Sequence, residues 1–231
     1  MKRITTLLLA LGILTTVSTV AVAQLTDEMK RDGWVSIFDG KTLEGWKSNE
    51  KYEGFKIENG AIVGFGERNH LYYMEELQNF ELKLDIKINK GCNSGVYVKS
   101  QWQDAAWPTT GFEIQVNSQS QSDPQKTGGL YNIIKIYTAP HADDEWFTMH
   151  LTCRGNTLDV RVNDKILYTY VEPGRGPGAG RQGQGGQGQG GQAPPITEQN
   201  KRISQRGHIA LQQHDPAGTP QFKNIFIKKL D

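Results

Sequence analysis

The chain has 231 residues, with 26 Lys and Arg against 25 Asp and Glu, so its formal net charge at pH 7 is +1. This balance argues against a nucleic-acid partner, because phosphate binding needs clustered basic side chains. The two cysteines are too few for a disulfide framework or for a zinc site with four sulfur ligands. We therefore expect one domain of about 200 residues that is held together by a packed core.

Residues 1–23 have the pattern of a secretory signal peptide. Lys2 and Arg3 form a positively charged N-terminal region, and an uncharged apolar run follows. Ala21-Val22-Ala23 then forms a small-x-small cleavage site. A retained membrane anchor is the alternative, since an apolar run of about 20 residues can span a bilayer. With the signal peptide removed, we expect a periplasmic or secreted domain over residues 24–231 that has no membrane contact.

The rest of the chain shows the two-residue periodicity of β-strands and almost no helical periodicity. In chain order the predicted strands are 34–38, 55–57, 61–63, 80–88, 95–99, 112–117, 146–154, 158–162, 165–170, 208–213 and 222–229. In residues 80–88 apolar and polar side chains alternate, which indicates one core face and one solvent face. So many short strands predict an all-β domain of two stacked antiparallel sheets, a sandwich or jelly roll.

A segment rich in Gly and Gln interrupts this pattern. Residues 173–195 hold no side chain that can pack, so we expect a disordered loop. The roughly 35 residues after this segment are too few for a core of their own. The segment is therefore predicted to be an insertion within a single domain and not a linker to a second one.

The pairing of the two cysteines has two interpretations. Export to an oxidising compartment permits a disulfide between Cys92 and Cys153. The alternation of Cys153 with apolar neighbours is instead typical of an ordinary buried thiol. The sequence leaves both open.

Several short motifs, read in order, carry a resemblance to a known family. They are Gly33-Trp34-Val35-Ser36-Ile37-Phe38-Asp39-Gly40-Lys41-Thr42-Leu43 followed by Gly45-Trp46, then Asn59-Gly60-Ala61-Ile62-Val63-Gly64, Asn93-Ser94-Gly95-Val96-Tyr97, Gly111-Phe112-Glu113-Ile114-Gln115-Val116, Gly129-Leu130-Tyr131, Ile209-Ala210-Leu211-Gln212 with His214, and Phe222-Lys223-Asn224-Ile225. Their order and spacing resemble the bacterial 3-keto-disaccharide hydrolase family. The resemblance implies a concanavalin-like β-sandwich that cleaves glycosides already oxidised to a ketone at C3, in some members by 1,2-elimination.

The predicted strand 112–117 carries a polar stripe of Glu113, Gln115 and Asn117. Conventional glycosidases need two carboxylates, and because amides do not titrate, that chemistry is disfavoured on this strand. Cleavage of a 3-keto sugar does not require two carboxylates, because its ketone acidifies the C2 proton. One base, a donor to the enolate oxygen and an acid for the leaving oxygen suffice. We expect Glu113 to be the base, the alternative being a solvated residue on an exposed sheet face.

A second polar stripe contains Gln212 and His214, and the family resemblance runs through both. We expect His214 to act as the acid or as the oxyanion donor. Asn93, Gln115 and Gln212 are expected to orient sugar hydroxyls. Where the family often carries Asp before this histidine, the chain has Gln213, so any role that needs that Asp is in doubt.

Three further residues are expected to contact the sugar. Lys99 stands where the family often has Arg. Lysine keeps the positive charge but cannot form the two parallel hydrogen bonds of a guanidinium group. Trp102 lies in a predicted loop, where it can stack on a sugar ring or plug the core, and Tyr131 belongs to the Gly-Leu-Tyr motif. No metal site and no cofactor are predicted from the histidine spacing, although a divalent metal is left open.

The expected function is an exported enzyme whose partner is a small oxidised sugar, with an oligomeric state that the sequence leaves undetermined. A non-catalytic carbohydrate-binding module is the alternative from another class. A buried Glu113 near His214 favours the enzyme, whereas a flat aromatic face with both residues exposed favours the module.

Cleavage of the signal peptide gives the first testable expectation. The protein recovered from outside the cytoplasm should begin at Gln24, because the small-x-small site ends at Ala23. N-terminal sequencing checks this. An intact Met1 on protein from the membrane fraction would contradict it.

Overall fold

The structure is a computed structural model that describes residues 25–119, 123–172 and 205–231. The predicted signal peptide and the Gly/Gln segment lie outside these residues. The described residues form one short helix and thirteen strands. They are α1 (Asp27–Arg31), β1 (Trp34–Ser36), β2 (Trp46–Ser48), β3 (Phe55–Glu58), β4 (Ala61–Gly64), β5 (Asn69–Leu77), β6 (Phe80–Lys87), β7 (Asn93–Ser100), β8 (Phe112–Asn117), β9 (Phe147–Arg154), β10 (Thr157–Val162), β11 (Lys165–Val171), β12 (Gly207–Gln213) and β13 (Gln221–Lys229).

The strands form two antiparallel sheets. The larger sheet has the order β11-β10-β9-β6-β13-β4-β3, with β1 also paired to β13, and the smaller sheet has the order β2-β5-β12-β7-β8. The apolar faces of the two sheets pack together into one core. The predicted all-β sandwich of two stacked antiparallel sheets is confirmed.

The core follows from the alternation along each strand. In β6, Phe80, Leu82 and Leu84 are fully buried while the residues between them are only partly buried. Across the sheet, Leu82 lies opposite Leu151 of β9, so apolar side chains of neighbouring strands share the inner face. Burial of each such side chain contributes about 1.5–3 kcal/mol.

Both cysteines are free and buried. Cys153 lies in the core opposite Phe80, as its alternation with apolar residues indicated. Cys92 precedes β7, where its sulfur lies beside Gly218. Of the two interpretations, the structure therefore supports the buried thiol.

Strand β5 was not predicted, although it lies near the middle of the smaller sheet. Its inner face carries Leu71 and Leu77, but its outer face carries His70 and Tyr72, which are also fully buried. Burial on both faces removes the polar and apolar alternation by which a strand is recognised.

A β-bulge in β7 determines where Lys99 points. Between Tyr97 and Ser100 the pairing of β7 with β12 shifts register, so β7 holds one extra residue there. Lys99 takes up this residue with a φ of 63°, a conformation that costs a non-glycine residue about 1–2 kcal/mol. Gly111 packs against the bulge so closely that a Cβ on it would lie 2.5 Å from the Val98 carbonyl oxygen.

The contact at Gly111 predicts a large loss of stability for Gly111→Ala. The new Cβ would meet backbone atoms that cannot move aside, so we expect the free energy of unfolding to fall by about 3 kcal/mol or more. Gly155→Ala is the matched control, because Gly155 also has a positive φ of 58° but has open space around it; its cost should be about 1–2 kcal/mol. Urea unfolding measures both, and equal losses would show that the bulge relaxes freely.

Candidate active site

The outer face of the smaller sheet carries a group of polar and aromatic side chains, here called the polar face. Its members are His70 and Tyr72 of β5, Asn93 and Tyr97 of β7, Glu113 and Gln115 of β8, and Gln212 of β12. The strand register brings them together: Tyr97 pairs with Glu113, and Gln212 pairs with His70. Tyr72, Tyr97 and Ala210 form a small apolar cluster on this face that is separate from the main core.

Glu113 is half-buried on the polar face and is held by two side-chain donors. The Tyr97 hydroxyl donates to its Oε2 at 2.7 Å, and the Gln212 amide donates to its Oε1 at 3.0 Å. The same Gln212 amide lies 3.1 Å from the Tyr97 hydroxyl oxygen. A Cβ on Gly95 would lie 2.4 Å from Oε1 of Glu113, so the carboxyl rests directly over the β7 backbone.

Burial raises the pKa of Glu113 to about 7, although the hydrogen bonds from Tyr97 and Gln212 lower it. The nearby charge of Asp123 raises it further. Burial and the charge of Glu113 hold the pKa of Tyr97 well above its usual value, so its hydroxyl stays protonated as a donor. A carboxyl with a pKa near the working pH is suited to general-base catalysis.

Asp123 is a second buried carboxylate that the sequence analysis did not identify. It is 8% exposed, its Oδ2 accepts from the Gln115 amide at 3.0 Å, and its Oδ1 accepts from the Gln125 backbone N–H at 2.7 Å. Two-carboxylate chemistry was disfavoured on strand β8 because Gln115 and Asn117 are amides, and Asp123 adds a carboxylate from outside that strand. Asp123 lies in a loop, so the alternation of residues along the strands could not identify it as a site residue.

The predicted residues Asn93, Gln115 and Tyr131 join this group. The Gln115 amide also donates to Oδ1 of Asn93 at 3.2 Å. Burial, with the charges of Asp123 and Glu113, raises the pKa of Tyr131 to about 12, and its hydroxyl is hydrogen-bonded to Asp123. Three of the residues expected to bind the sugar thus form one hydrogen-bonded group with Asp123.

His214 lies just beyond β12 and has a carboxylate partner. Its Nδ1 is 2.7 Å from Oδ2 of Asp215. The partner therefore comes from the position after the histidine and not from the position before it, where Gln213 stands. A carboxylate on Nδ1 fixes the orientation of the ring and directs Nε2 toward a ligand.

A chain of ring contacts connects His214 to Tyr97, the hydrogen-bond partner of Glu113. The His214 ring lies 5.0 Å from Trp107, Trp107 lies 5.4 Å from His70, and His70 lies 5.4 Å from Tyr97, which binds Glu113. His70 was not among the predicted site residues.

The structure does not bring Lys99 to the polar face. Its ammonium is buried, donates to the Leu77 carbonyl at 3.3 Å and also binds the Gln78 carbonyl. The bulge in β7 turns this side chain away from the face that Tyr97 occupies. Trp102 lies at the edge of the polar face, where its ring is 5.2 Å from Tyr72 and Nζ of Lys47 is 4.2 Å from its centre.

Within the described ranges, no three His, Cys, Asp or Glu side chains lie close enough together to hold a metal ion. No helix in these ranges is long and apolar enough to cross a membrane.

Two solved structures show the class of fold. A candidate glycosyl hydrolase from Parabacteroides distasonis ATCC 8503 is 24% identical, with a TM-score of 0.69 over 91% of this chain and 100% of that one. The carbohydrate-binding module CBM66 from Bacillus subtilis is 12% identical, with a TM-score of 0.54 over 80% of this chain and 96% of that one. The fold is a concanavalin-like jelly-roll sandwich.

Residues 33–228 match the family model of the 3-keto-alpha-glucoside-1,2-lyase-like domain, and the chain belongs to this family, as its motifs indicated. A 3-keto-disaccharide hydrolase of Bacteroides thetaiotaomicron is 34% identical over 82 residues, which cover 30% of this chain. The matched part is 28% of that relative's length. Membership of this family supports a carbohydrate-active enzyme.

The raised pKa of Glu113 predicts how stability depends on pH. Its value of about 7 in the folded protein lies above the ordinary value of 4.5, so between these values the folded state binds the proton more tightly than the unfolded chain. The free energy contributed by Glu113 therefore falls as the pH rises from about 4.5 to about 7, by at most about 1.4 kcal/mol per pH unit. Glu113→Gln abolishes this titration.

Urea unfolding of both proteins across this range checks the expectation. The free energy of unfolding of Glu113→Gln, minus that of the wild type, should rise with pH inside the window and stay level outside it. A difference that is constant with pH would show that the Glu113 carboxyl is not desolvated.

Proposed function

We propose that this chain cleaves glucosides whose C3 is oxidised to a ketone, by removing the C2 proton and eliminating the C1 oxygen. The observation that carries the proposal is the half-buried Glu113 carboxyl, which has a pKa of about 7 and lies among amide and hydroxyl donors. A base of this kind is matched to a proton that the adjacent ketone has made acidic.

In the proposed reaction, Glu113 takes the C2 proton and the C2–H electrons form an enolate with the C3 ketone. The enolate then collapses, the C1–C2 double bond forms, and the bond from C1 to the leaving oxygen breaks. His214, oriented by Asp215 at 2.7 Å, is proposed to donate a proton to that oxygen or to stabilise the enolate. Asn93, Gln115 and Gln212 orient the sugar hydroxyls in this scheme.

Conventional hydrolysis is the second candidate, because Asp123 provides a second carboxylate near Glu113. The hydrogen bonds of Asp123 to Gln115, to the Gln125 backbone and to Tyr131 argue for a positioning role instead. A binding module has less support, because the polar face presents a half-buried titrating carboxyl and not a flat aromatic surface. From the pattern of residues 1–23, we also propose that the enzyme works in the periplasm or outside the cell.

Glu113→Gln tests the proposed base, because it keeps the shape of the side chain and removes the ability to accept a proton. We expect the rate on a 3-keto-glucoside to fall by at least about 10²-fold to 10⁴-fold, while the unfolding transition stays cooperative. Glu58→Gln, which removes an exposed carboxylate from the β3–β4 hairpin, is the control and should keep the full rate.

Assays with the unoxidised glucoside distinguish 1,2-elimination from conventional hydrolysis. The wild type should not cleave it, because without the ketone its C2 proton is not acidic. Equal cleavage of both sugars would favour conventional hydrolysis by Glu113 and Asp123. Activity of Glu113→Gln within a few-fold of the wild type would rule out Glu113 as the base.

A further inference from the structure

Residues 101–110 form a loop between β7 and β8 that contains two strained backbone positions beside the polar face. Ala105 and Ala106 have φ values of 64° and 67°, in the left-handed region that residues with a Cβ avoid. Such strain persists only where the surrounding contacts hold it, and it is concentrated at functional sites. The next residue is Trp107, which contacts the polar face but has no role yet in the proposed reaction.

Two residues that follow β2 hold these alanines in place. The Ala105 N–H donates to the Asn49 carbonyl at 2.7 Å, and the Asn49 amide donates to the Ala106 carbonyl at 2.9 Å. The Ala106 N–H donates to Oε1 of Glu50 at 3.0 Å. Because these hydrogen bonds fix the backbone of two adjacent residues, they also fix the direction in which the chain continues to Trp107.

The side chain and the carbonyl of Trp107 have partners of their own. Cζ of Arg68 lies 5.4 Å from the centre of the Trp107 ring, and a guanidinium is attracted to an aromatic face. Nη2 of Arg68 is in turn 2.6 Å from Oε1 of Glu50, the same oxygen that accepts from Ala106. The Gln103 amide donates to the Trp107 carbonyl at 2.6 Å. Both the ring and the backbone of Trp107 are therefore restrained.

The restrained Trp107 ring lies against His214. The two ring centres are 5.0 Å apart and the planes are tilted by 52°. At its edge, the imidazole of His214 has Nδ1 at 2.7 Å from Oδ2 of Asp215. A single hydrogen bond leaves an imidazole free to swing about it, whereas a further contact against the ring removes that freedom. Trp107 and Asp215 together therefore set the direction of Nε2.

Trp107 also contacts the imidazole of His70, with ring centres 5.4 Å apart. Burial and the charges of Arg68 and His214 lower the pKa of His70 to about 3, so the His70 ring stays neutral. The side chain of His214 is instead 29% exposed, so solvent reaches it. A proton that is donated in each turnover must be replaced from solvent. Of the two imidazoles that contact Trp107, His214 is therefore the one suited to act as an acid.

We propose that Trp107 is a positioning residue, which holds the His214 ring in the orientation that protonates the leaving oxygen. The inference rests on the proposed function and assigns His214 the role of the acid. In this step the C1–O bond breaks with its electrons on the oxygen, which takes the proton from Nε2 of His214. Solvent then returns a proton to His214, and Glu113 releases the C2 proton to solvent.

The leaving group provides the test, because methoxide needs a proton in order to depart and 4-nitrophenolate does not. For Trp107→Leu we expect kcat on methyl 3-keto-α-glucoside to fall about 10-fold to 100-fold. On 4-nitrophenyl 3-keto-α-glucoside kcat should stay within about threefold. Trp146→Leu is the matched control and should change neither value, because Trp146 is 37% exposed and precedes β9 of the larger sheet.

A double-mutant cycle shows whether Trp107 acts through His214. His214→Asn should lower kcat on the methyl glucoside about 10²-fold to 10⁴-fold. Adding Trp107→Leu to that variant should lower kcat by less than about twofold more, because the ring that Trp107 holds is gone. Additive losses would overturn the proposal. So would equal losses on the two substrates, a rise in KM alone, or no loss on either.

If Trp107→Leu does not fold, Trp107→Phe replaces it, since phenylalanine keeps a smaller ring at this position. Its kcat should fall about 3-fold to 10-fold on the methyl glucoside alone. The outcomes that contradict the proposal are the same as for Trp107→Leu.

NMR relaxation separates failure of this inference from failure of the proposed function. If the wild type cleaves neither 3-keto sugar, the proposed reaction is wrong, and the mobility of the His214 ring then tests the positioning role alone. The order parameter of its Cε1–H bond should be about 0.85 in the wild type and below about 0.6 in Trp107→Leu. Equal order parameters in the two proteins would show that Trp107 does not hold the ring.

Discussion

The register of the smaller sheet determines which side chains share the polar face. Because side chains alternate along a strand, a slip of β12 by one residue would move Gln212 into the core and bring Leu211 out. Such a slip is opposed by Ile209 and Leu211, which are fully buried between the sheets. The core thus fixes the position of Gln212, and through Gln212 the position of the Glu113 carboxyl.

The environment of Glu113 is a balance between desolvation and hydrogen bonding. Two donors offset part of the cost of burying the carboxyl, and what remains appears as a pKa of about 7. Tyr97 also contacts the ring of His70, so the side chain that binds Glu113 is itself packed against a fully buried ring of β5.

The polar face depends on segments outside the strands for three of its features. One loop brings Asp123 to Gln115, another brings Trp107 over His70, and Asp215 reaches His214 from the end of β12. Asp215 supplies a carboxylate to this histidine from the position after it, while Gln213 stands at the position before it.

The sequence by itself determined the architecture and the centre of the candidate site. Alternation in strands such as β6 predicted two sheets with one core, because the two-residue period of a strand is a local property of the chain. The same alternation, together with the family motifs, placed Glu113, Gln115 and Gln212 on outward-facing stripes. The motifs also identified the family.

Only the tertiary structure decided which further residues meet on the polar face. A bulge of one residue removed Lys99 from it, and no local pattern distinguishes a bulge from a regular strand. His70 escaped detection because a loop buries the outer face of β5, and Asp123 escaped because it reaches Gln115 through a loop. Each of these positions depends on contacts between segments that are distant in the chain, and alternation along a single strand carries no information about such contacts.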